Sequence, residues 1–111
     1  MKLSDLSAVS PIDGRYSKLV TELQEIFSEY ALIKYRVFVE IEWFIHLSKQ
    51  PNIKELPNLT KQSLAFLSKI EKNFSLTEAR KIKNIEKKTN HDVKAVEYYL
   101  RDQFMKSKQL K

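Results

Sequence analysis

The sequence predicts an all-α fold, and three observations support this prediction. The 111 residues include only one glycine and three prolines, too few for the tight turns that a many-stranded β fold needs. Apolar residues recur at spacings of three or four, which is the period of an amphipathic helix. Residues 29–49 are apolar around most of a helical circumference. We therefore expect about five helices, one of which is long, central and apolar.

The composition is that of an ordinary globular protein. Hydrophobic residues make up 42% of the chain and charged residues 31%, so residues 1–111 are expected to form one modest domain with a single core. The absence of cysteine excludes disulfides, thiolate metal ligands and a cysteine nucleophile, and it fits a reducing compartment such as the cytoplasm. The sequence shows no metal-ligand cluster and no glycine-rich phosphate loop, so we expect neither a metal nor a cofactor. The first five residues lack the apolar run of a signal peptide.

The first helices can be placed from their caps and periodicity. Residues 1–17 are expected to be irregular, and residues 18–27 are expected to form a short helix or helical turn. Ser28 can cap the long helix over residues 29–49, which must end before Pro51 because proline cannot continue it.

Three more helices follow a proline-containing loop. Thr60 is a suitable N-cap for the first of them. Ser75 and Glu78 match a capping box for the second, in which each side chain would satisfy the other residue's backbone N–H group. The second is expected over about residues 76–87 and the third over about residues 91–106.

The long helix over residues 29–49 has more apolar surface than so small a domain can bury. Its apolar run is interrupted by Lys34, Arg36, Glu40, Glu42 and His46. A membrane-spanning helix would not carry these side chains. We therefore expect an exposed apolar face that another domain or subunit covers. The histidine in this run has apolar neighbours and is expected to be structural.

The only glycine lies in a turn that positions an arginine and a tyrosine. Asp13 and Gly14 form a strong turn pair, in which the glycine is expected to adopt a positive φ. The turn sets the direction of Arg15 and Tyr16. Arginine offers a planar set of donors that suits phosphate or carboxylate, and tyrosine adds a hydroxyl group. From the residues alone, the simpler interpretation is a surface arginine beside a packed tyrosine.

A second polar cluster precedes the last helix. Either Asn90 or Asp92 can cap its first turn, and a helix start offers free backbone N–H groups and a positive dipole end to anions. His91, between them, adds imidazole, the side chain that titrates nearest to neutral pH. The alternative is a simple helix cap with a solvated histidine. The apolar stripe of this helix is expected to consist of Val93, Val96, Leu100 and Phe104.

The net charge of +6 allows several classes of partner. A basic balance can indicate nucleic acid, a membrane surface or an anionic small molecule. Because most of the lysines are dispersed along the chain, a solvated lysine-rich surface explains most of them. The competing function is a small basic helical module that binds nucleic acid or protein. Against it, Trp43 and Phe44 lie within the apolar helix and are not interleaved with a basic patch.

The two polar clusters together resemble those of a known enzyme family. Residues 9–16 (VSPIDGRY) and 89–98 (TNHDVKAVEY) are similar to N-terminal segments of the adenylosuccinate lyase family, in the fumarase/aspartase superfamily. The similarity extends from Leu3 to Tyr99, and the combination of both segments is specific. It implies that residues 1–111 are the N-terminal helical domain of a longer lyase, without its central helical bundle and C-terminal domain.

The resemblance also implies a reaction and a division of roles. The family releases fumarate by β-elimination from adenylosuccinate, which gives AMP, and from the related succinyl-carboxamide ribotide of purine synthesis. By resemblance, Arg15 and Tyr16 bind the substrate phosphate. Asn90, His91 and Asp92 line the substrate pocket, where the histidine either contacts substrate or supports the general acid.

By the same resemblance, this chain holds no principal catalytic residue. The family's general base is a serine and its general acid a histidine, and both are expected beyond residue 111. The expected partners are the purine nucleotide substrate and, for the full-length enzyme, other copies of itself in a homotetramer. Neither nucleic acid nor a membrane is expected as a partner.

Overall fold

A computed structural model describes residues 1–107, and every regular element in that range is helical. The predicted all-α class is therefore confirmed. The short helix or helical turn expected over residues 18–27 is split into two short pieces, and four longer helices follow it. A 3₁₀ helix covers Ser17–Leu23, and the α-helices are α1 (Gln24–Phe27), α2 (Glu29–Ser48), α3 (Lys61–Lys72), α4 (Leu76–Thr89) and α5 (Asp92–Phe104).

The chain groups into two compact units. The first covers Met1–Leu32 and the second begins at Ile33, so the boundary falls within α2. Among the described residues, the first unit contributes only Ala31 to the buried hydrophobic set. The core lies in the second unit and consists of Ile33, Val37, Ile41, Leu67, Phe74, Ala79, Ile82, Ala95, Val96, Tyr99 and Leu100.

The first unit is built mainly from turns. Residues 1–16 contain bends and turns without a helix, as the sequence predicts. The Ser28 hydroxyl accepts a hydrogen bond from the Ala31 N–H at 3.0 Å, which confirms this serine as the cap of α2. The apolar side chains of the short helices remain exposed, namely Leu19, Leu23, Ile26 and Phe27.

In the second unit, α4 and α5 pack against each other around one tyrosine. Tyr99 is only 3% exposed, and its ring meets Phe74 edge to face with centroids 6.2 Å apart. Its hydroxyl donates a hydrogen bond of 2.6 Å to Oε2 of Glu78. This bond is the main reason that the pKa of Glu78 is lowered, and burial followed by this carboxylate raises the pKa of Tyr99.

One predicted cap is confirmed and another is wrong. Thr60 caps α3, since its Oγ1 accepts a hydrogen bond from the Ser63 N–H at 3.1 Å. The capping box at α4 does not form, because the Ser75 side chain makes no cap hydrogen bond. Glu78 is instead bound by Tyr99 and by Lys81, whose Nζ lies 3.0 Å from its Oε1. A tertiary partner 21 residues away has displaced the local one.

Two carboxyl groups meet between α2 and α3, a contact that the sequence analysis did not predict. Glu71 forms a side-chain hydrogen bond with Glu42, and the Glu71 Oε1 is buried without a hydrogen-bond partner among the described residues. Burial, first, and the neighbouring carboxylate, second, raise the pKa of Glu71 to about 7. As the pH falls below about 7, Glu71 therefore becomes protonated and can donate a hydrogen bond to Glu42.

The exposed apolar face expected on α2 is present. The large side chains that remain exposed on this helix are Leu32, Tyr35, Phe38, Val39 and Trp43. His46 stacks on the tryptophan ring with centroids 5.6 Å apart, and its structural role remains a prediction. No helix within residues 1–107 has the length and apolarity required to cross a bilayer.

Candidate functional site

The junction between α4 and α5 consists of two residues. Asn90 ends α4 in the left-handed conformation, with φ of 53°, and its N–H donates to the Glu86 carbonyl at 2.7 Å. Asparagine is among the few residues that tolerate this conformation, which accounts for its presence here. His91 follows in an extended conformation and is the N-cap of α5. The prediction that Asn90 or Asp92 would cap this helix is therefore wrong.

His91 caps α5 through its ring. The Lys94 N–H donates to Nδ1 of His91 at 3.2 Å, so this arrangement requires a neutral imidazole with its proton on Nε2. Thr89 holds the backbone on either side, because its Oγ1 accepts from the His91 N–H at 3.2 Å and donates to the His91 carbonyl at 3.0 Å. The side chain is 63% exposed, so it can meet a ligand while it caps the helix.

Asp92 has partners for both of its carboxylate oxygens. Oδ1 accepts a hydrogen bond from the Val93 N–H at 2.8 Å, and Oδ2 lies 2.9 Å from Nη1 of Arg36 on α2. The backbone hydrogen bond is the main cause that lowers the pKa of Asp92, and the guanidinium adds to it. In the sequence, Arg36 stands out only as an interruption of an apolar run. A cation placed in such a run needs a carboxylate or water, and this requirement is the signal that predicts a partner such as Asp92.

The expectation of free N–H groups at this helix start needs correction. The N–H groups of Val93 and Lys94, in the first turn of α5, already have side-chain acceptors in Asp92 and His91. The groups that face outward here are therefore mainly side chains. The predicted apolar stripe of α5 also loses its first member, because Val93 is 47% exposed while Val96 and Leu100 are buried. The apolar face of the helix begins one turn later than expected.

The Arg15–Tyr16 turn lies in the first unit and is held by the preceding loop. The Asp13 Oδ1 accepts hydrogen bonds from the Ser10 N–H at 2.9 Å and from the Ser10 hydroxyl at 3.1 Å, and the first of these bonds is the main cause that lowers the pKa of Asp13. The Arg15 guanidinium lies 4.5 Å from the centroid of the Tyr16 ring, in a cation–π contact. Both side chains are exposed, so both can reach a ligand.

Gly14 is required for a reason different from the one predicted. It does not adopt a positive φ. It is buried, and a Cβ at this position would lie 2.8 Å from the Asp5 carbonyl oxygen and 3.2 Å from the Ala8 Cβ. The close approach of residues 5–8 therefore excludes any side chain here, and the absence of one lets the turn pack tightly.

Two hollows accompany these residues. In the first unit, a hollow of about 480 Å³ is lined by apolar side chains, including Ile12, Val20 and Phe27, and by an equal number of polar residues. In the second unit, a hollow of about 290 Å³ adjoins the α4–α5 junction and is lined by Lys83, Glu86, Lys87 and Asn90. Lys83 is paired with Glu86 in this hollow, its Nζ lying 3.0 Å from Oε2, so the lining carries one net positive charge, which favours an anionic ligand only modestly.

The structure brings the predicted site residues together in two groups. Arg15 and Tyr16 lie side by side in the first unit, and Asn90, His91 and Asp92 form one turn in the second. An exposed guanidinium suits phosphate, and an imidazole with its proton on Nε2 can donate a hydrogen bond to a carboxylate. Among residues 1–107, no three histidine, aspartate or glutamate side chains gather in a way that could hold a metal ion.

Comparison with curated proteins finds relatives that share one name. The chain is 52% identical over 111 residues to the adenylosuccinate lyase of Legionella pneumophila strain Corby, a match that covers 100% of this chain and 24% of the relative. It is 48% identical over 110 residues to the Haemophilus influenzae enzyme of the same name, covering 99% and 24%. The corresponding values for the Escherichia coli K12 enzyme are 50% over 102 residues, covering 92% and 22%. No protein-family model matches the chain.

The fold is all-α, and it is consistent with the N-terminal part of the lyases that the chain matches. The chain spans about a quarter of the length of the curated relatives it matches, and the matched quarter is their N-terminal part. Over its whole length, the chain is similar to this N-terminal part of adenylosuccinate lyases.

Proposed function

We propose that this chain supplies substrate-binding residues to an adenylosuccinate lyase. The observation that carries the proposal is that about half of the residues are identical to enzymes of that name over 92–100% of the chain. The full-length protein would release fumarate from adenylosuccinate, giving AMP, and from the related succinyl-carboxamide ribotide. We also propose that the full-length protein forms a homotetramer and acts in the cytoplasm, as the resemblance to this enzyme family implies.

The chemistry of the substrate fits the two residue groups. Adenylosuccinate carries a phosphate and a succinyl dicarboxylate, so binding it requires cations and hydrogen-bond donors at two places. The Arg15 guanidinium and the Tyr16 hydroxyl would bind the phosphate. The Nε2–H of His91 would donate to the succinyl group, near the carbon that loses its proton. A negative aci-carboxylate forms there as the proton leaves, and a positioned donor stabilises it.

The proton transfers themselves would belong to residues elsewhere in the full-length enzyme. A base removes the proton from the succinyl carbon, the C–N bond breaks, and an acid protonates the leaving nitrogen. Asn90 would act mainly by holding the left-handed turn that directs His91. The 111-residue chain alone is therefore expected to show no lyase activity. Turnover that followed the purified chain through chromatography would contradict this assignment of roles.

Steady-state kinetics of the full-length protein test the proposal. Wild type should cleave adenylosuccinate, and the reaction can be monitored as a decrease in the absorbance of this substrate. Arg15→Ala removes charge-assisted hydrogen bonds to a group that does not react, worth about 1.5–3 kcal/mol, so KM should rise roughly 10- to 150-fold with kcat little changed. Arg80, which is exposed on α4, provides the matched control Arg80→Ala with unchanged kinetics.

His91 allows a sharper variant because asparagine is also a good N-cap. His91→Asn should keep the start of α5 folded and still remove the imidazole, so kcat and kcat/KM should fall together by at least about tenfold. Circular dichroism should match wild type. If His91→Asn kept wild-type kinetics, the histidine would be only a helix cap.

A further inference from the structure

The start of α5 is tied to another helix by one side chain. Arg36 of α2 reaches Oδ2 of Asp92 at 2.9 Å, while the other oxygen of that carboxylate accepts the Val93 N–H at 2.8 Å. Asp92 immediately follows His91, so the guanidinium binds the residue next to the one that carries the imidazole. All of these residues belong to the second unit.

We propose that Arg36 is a positioning residue for the proposed substrate site: through Asp92 it fixes the start of α5 and thereby the direction of the His91 imidazole. The inference rests on the proposed function of His91. It assigns to Asp92 a role different from that of a substrate ligand, since both carboxylate oxygens already have partners.

Charge supports the same assignment. A carboxylate beside the binding site of a polyanion repels that ligand unless a cation neutralises it. Arg36 supplies this cation from the side of α2, and arginine suits the task because its planar guanidinium fixes geometry as well as charge.

The competing explanation is an ion pair that only contributes to stability. The Arg36 side chain is 29% exposed and that of Asp92 is 47% exposed. Ion pairs this accessible to water contribute little to the stability of the fold. If the pair had only a structural role, its removal would leave the protein folded and its activity almost unchanged. A positioning role predicts a clear loss, because a displacement of about 1 Å at a site can lower the rate by up to about a hundredfold.

Kinetics of the full-length protein distinguish the two explanations. Arg36→Gln and Asp92→Asn should each lower kcat/KM for adenylosuccinate by about tenfold or more, mainly through kcat. The double variant should lose no more than the more damaged single variant, because both changes break one unit. Arg36→Lys keeps the charge without the planar geometry and should give an intermediate value. The control Arg80→Gln should match wild type.

A second measurement reports on the geometry without activity. The Lys94 N–H donates to Nδ1 of His91, so its hydrogen exchange in the full-length protein measures how well the cap is held. Arg36→Gln should speed this exchange severalfold while the amides of α3 remain unchanged.

The outcomes separate this inference from the proposed function. If wild type cleaved adenylosuccinate and Arg36→Gln stayed within twofold of Arg80→Gln in kcat/KM, the positioning role would be refuted. If wild type did not cleave adenylosuccinate, the proposed function would fail, and Lys94 exchange would still decide whether Arg36 holds the helix start. Unchanged exchange in Arg36→Gln would also refute the inference.

Discussion

The replacement of Glu71 by glutamine should stabilise the second unit at alkaline pH. In the folded chain, Glu71 faces Glu42 and has a pKa of about 7, compared with the ordinary value of 4.5. The folded state thus binds the Glu71 proton more tightly than the unfolded state does. The stability from this group is complete below about pH 4.5 and is lost as the pH rises through about 7.

The size of the effect follows from that difference. The pKa of Glu71 rises from 4.5 to about 7, and each pKa unit corresponds to about 1.4 kcal/mol, so the loss of stability above neutral pH is at most roughly 3.5 kcal/mol. Solvent reaches Glu42, which is exposed, and screening reduces the expected value to about 1–2 kcal/mol. Glu71→Gln keeps a donor toward Glu42 at every pH, so its free energy of unfolding should exceed that of wild type by this amount at pH 8 and differ little at pH 4.5.

Urea unfolding measured through tryptophan fluorescence provides the assay. Trp43 is the only tryptophan of the chain, follows Glu42 on α2, and belongs to the second unit. The control is Glu40→Gln, an exposed carboxylate on the same helix. The carboxyl pair would be refuted as the cause if the gain in free energy of unfolding of Glu71→Gln over wild type did not increase between pH 5 and pH 8. It would also be refuted if Glu40→Gln gave the same gain.

Three further predictions concern the 111-residue chain. Tyr99→Phe should lower the free energy of unfolding, measured with urea, by about 1.5–3 kcal/mol at pH 7. The pKa of Glu78 is lowered in the folded chain, so the stability that this carboxylate contributes is lost as the pH falls below about 4.5. The effect of Tyr99→Phe should therefore shrink in acid. Asn90→Ala should cost about 1 kcal/mol in thermal unfolding because of its φ of 53°, whereas Asn90→Gly should not; equal losses would exclude backbone strain. Self-association through the exposed face of α2 should be visible in sedimentation, and Trp43→Glu should reduce it; a monomer at high concentration would contradict this.

The parts of the fold that depend on local chemistry could be predicted from the sequence. The helical class, the caps at Ser28 and Thr60, and the apolar face of α2 all follow from periodicity and short-range hydrogen bonds. These features need only the identities of residues within a few positions of each other, which is the information that a sequence pattern contains.

The errors occur where a distant group replaces a local one. Glu78 had a suitable local partner, and the Tyr99 hydroxyl from α5 took its place. Gly14 was expected to adopt a positive φ, whereas the reason for glycine here is that the Asp5 backbone leaves no room for a side chain. Arg36 and its partner Asp92 are 56 positions apart, so no periodicity connects them. Each of these contacts depends on how helices or loops pack, and this information is absent from local spacing.

The two-residue junction at Asn90 and His91 couples the rotational phase of α5 to that of α4. A single inserted residue within α4 would rotate everything that follows by about 100° and shift it by about 1.5 Å along the helix. The two-residue junction is too short to compensate for such a change. The segment between α2 and α3, over residues 49–60, contains no helix and can be lengthened at little cost. Natural length variation among related chains should therefore concentrate in that segment and avoid the last two turns of α4.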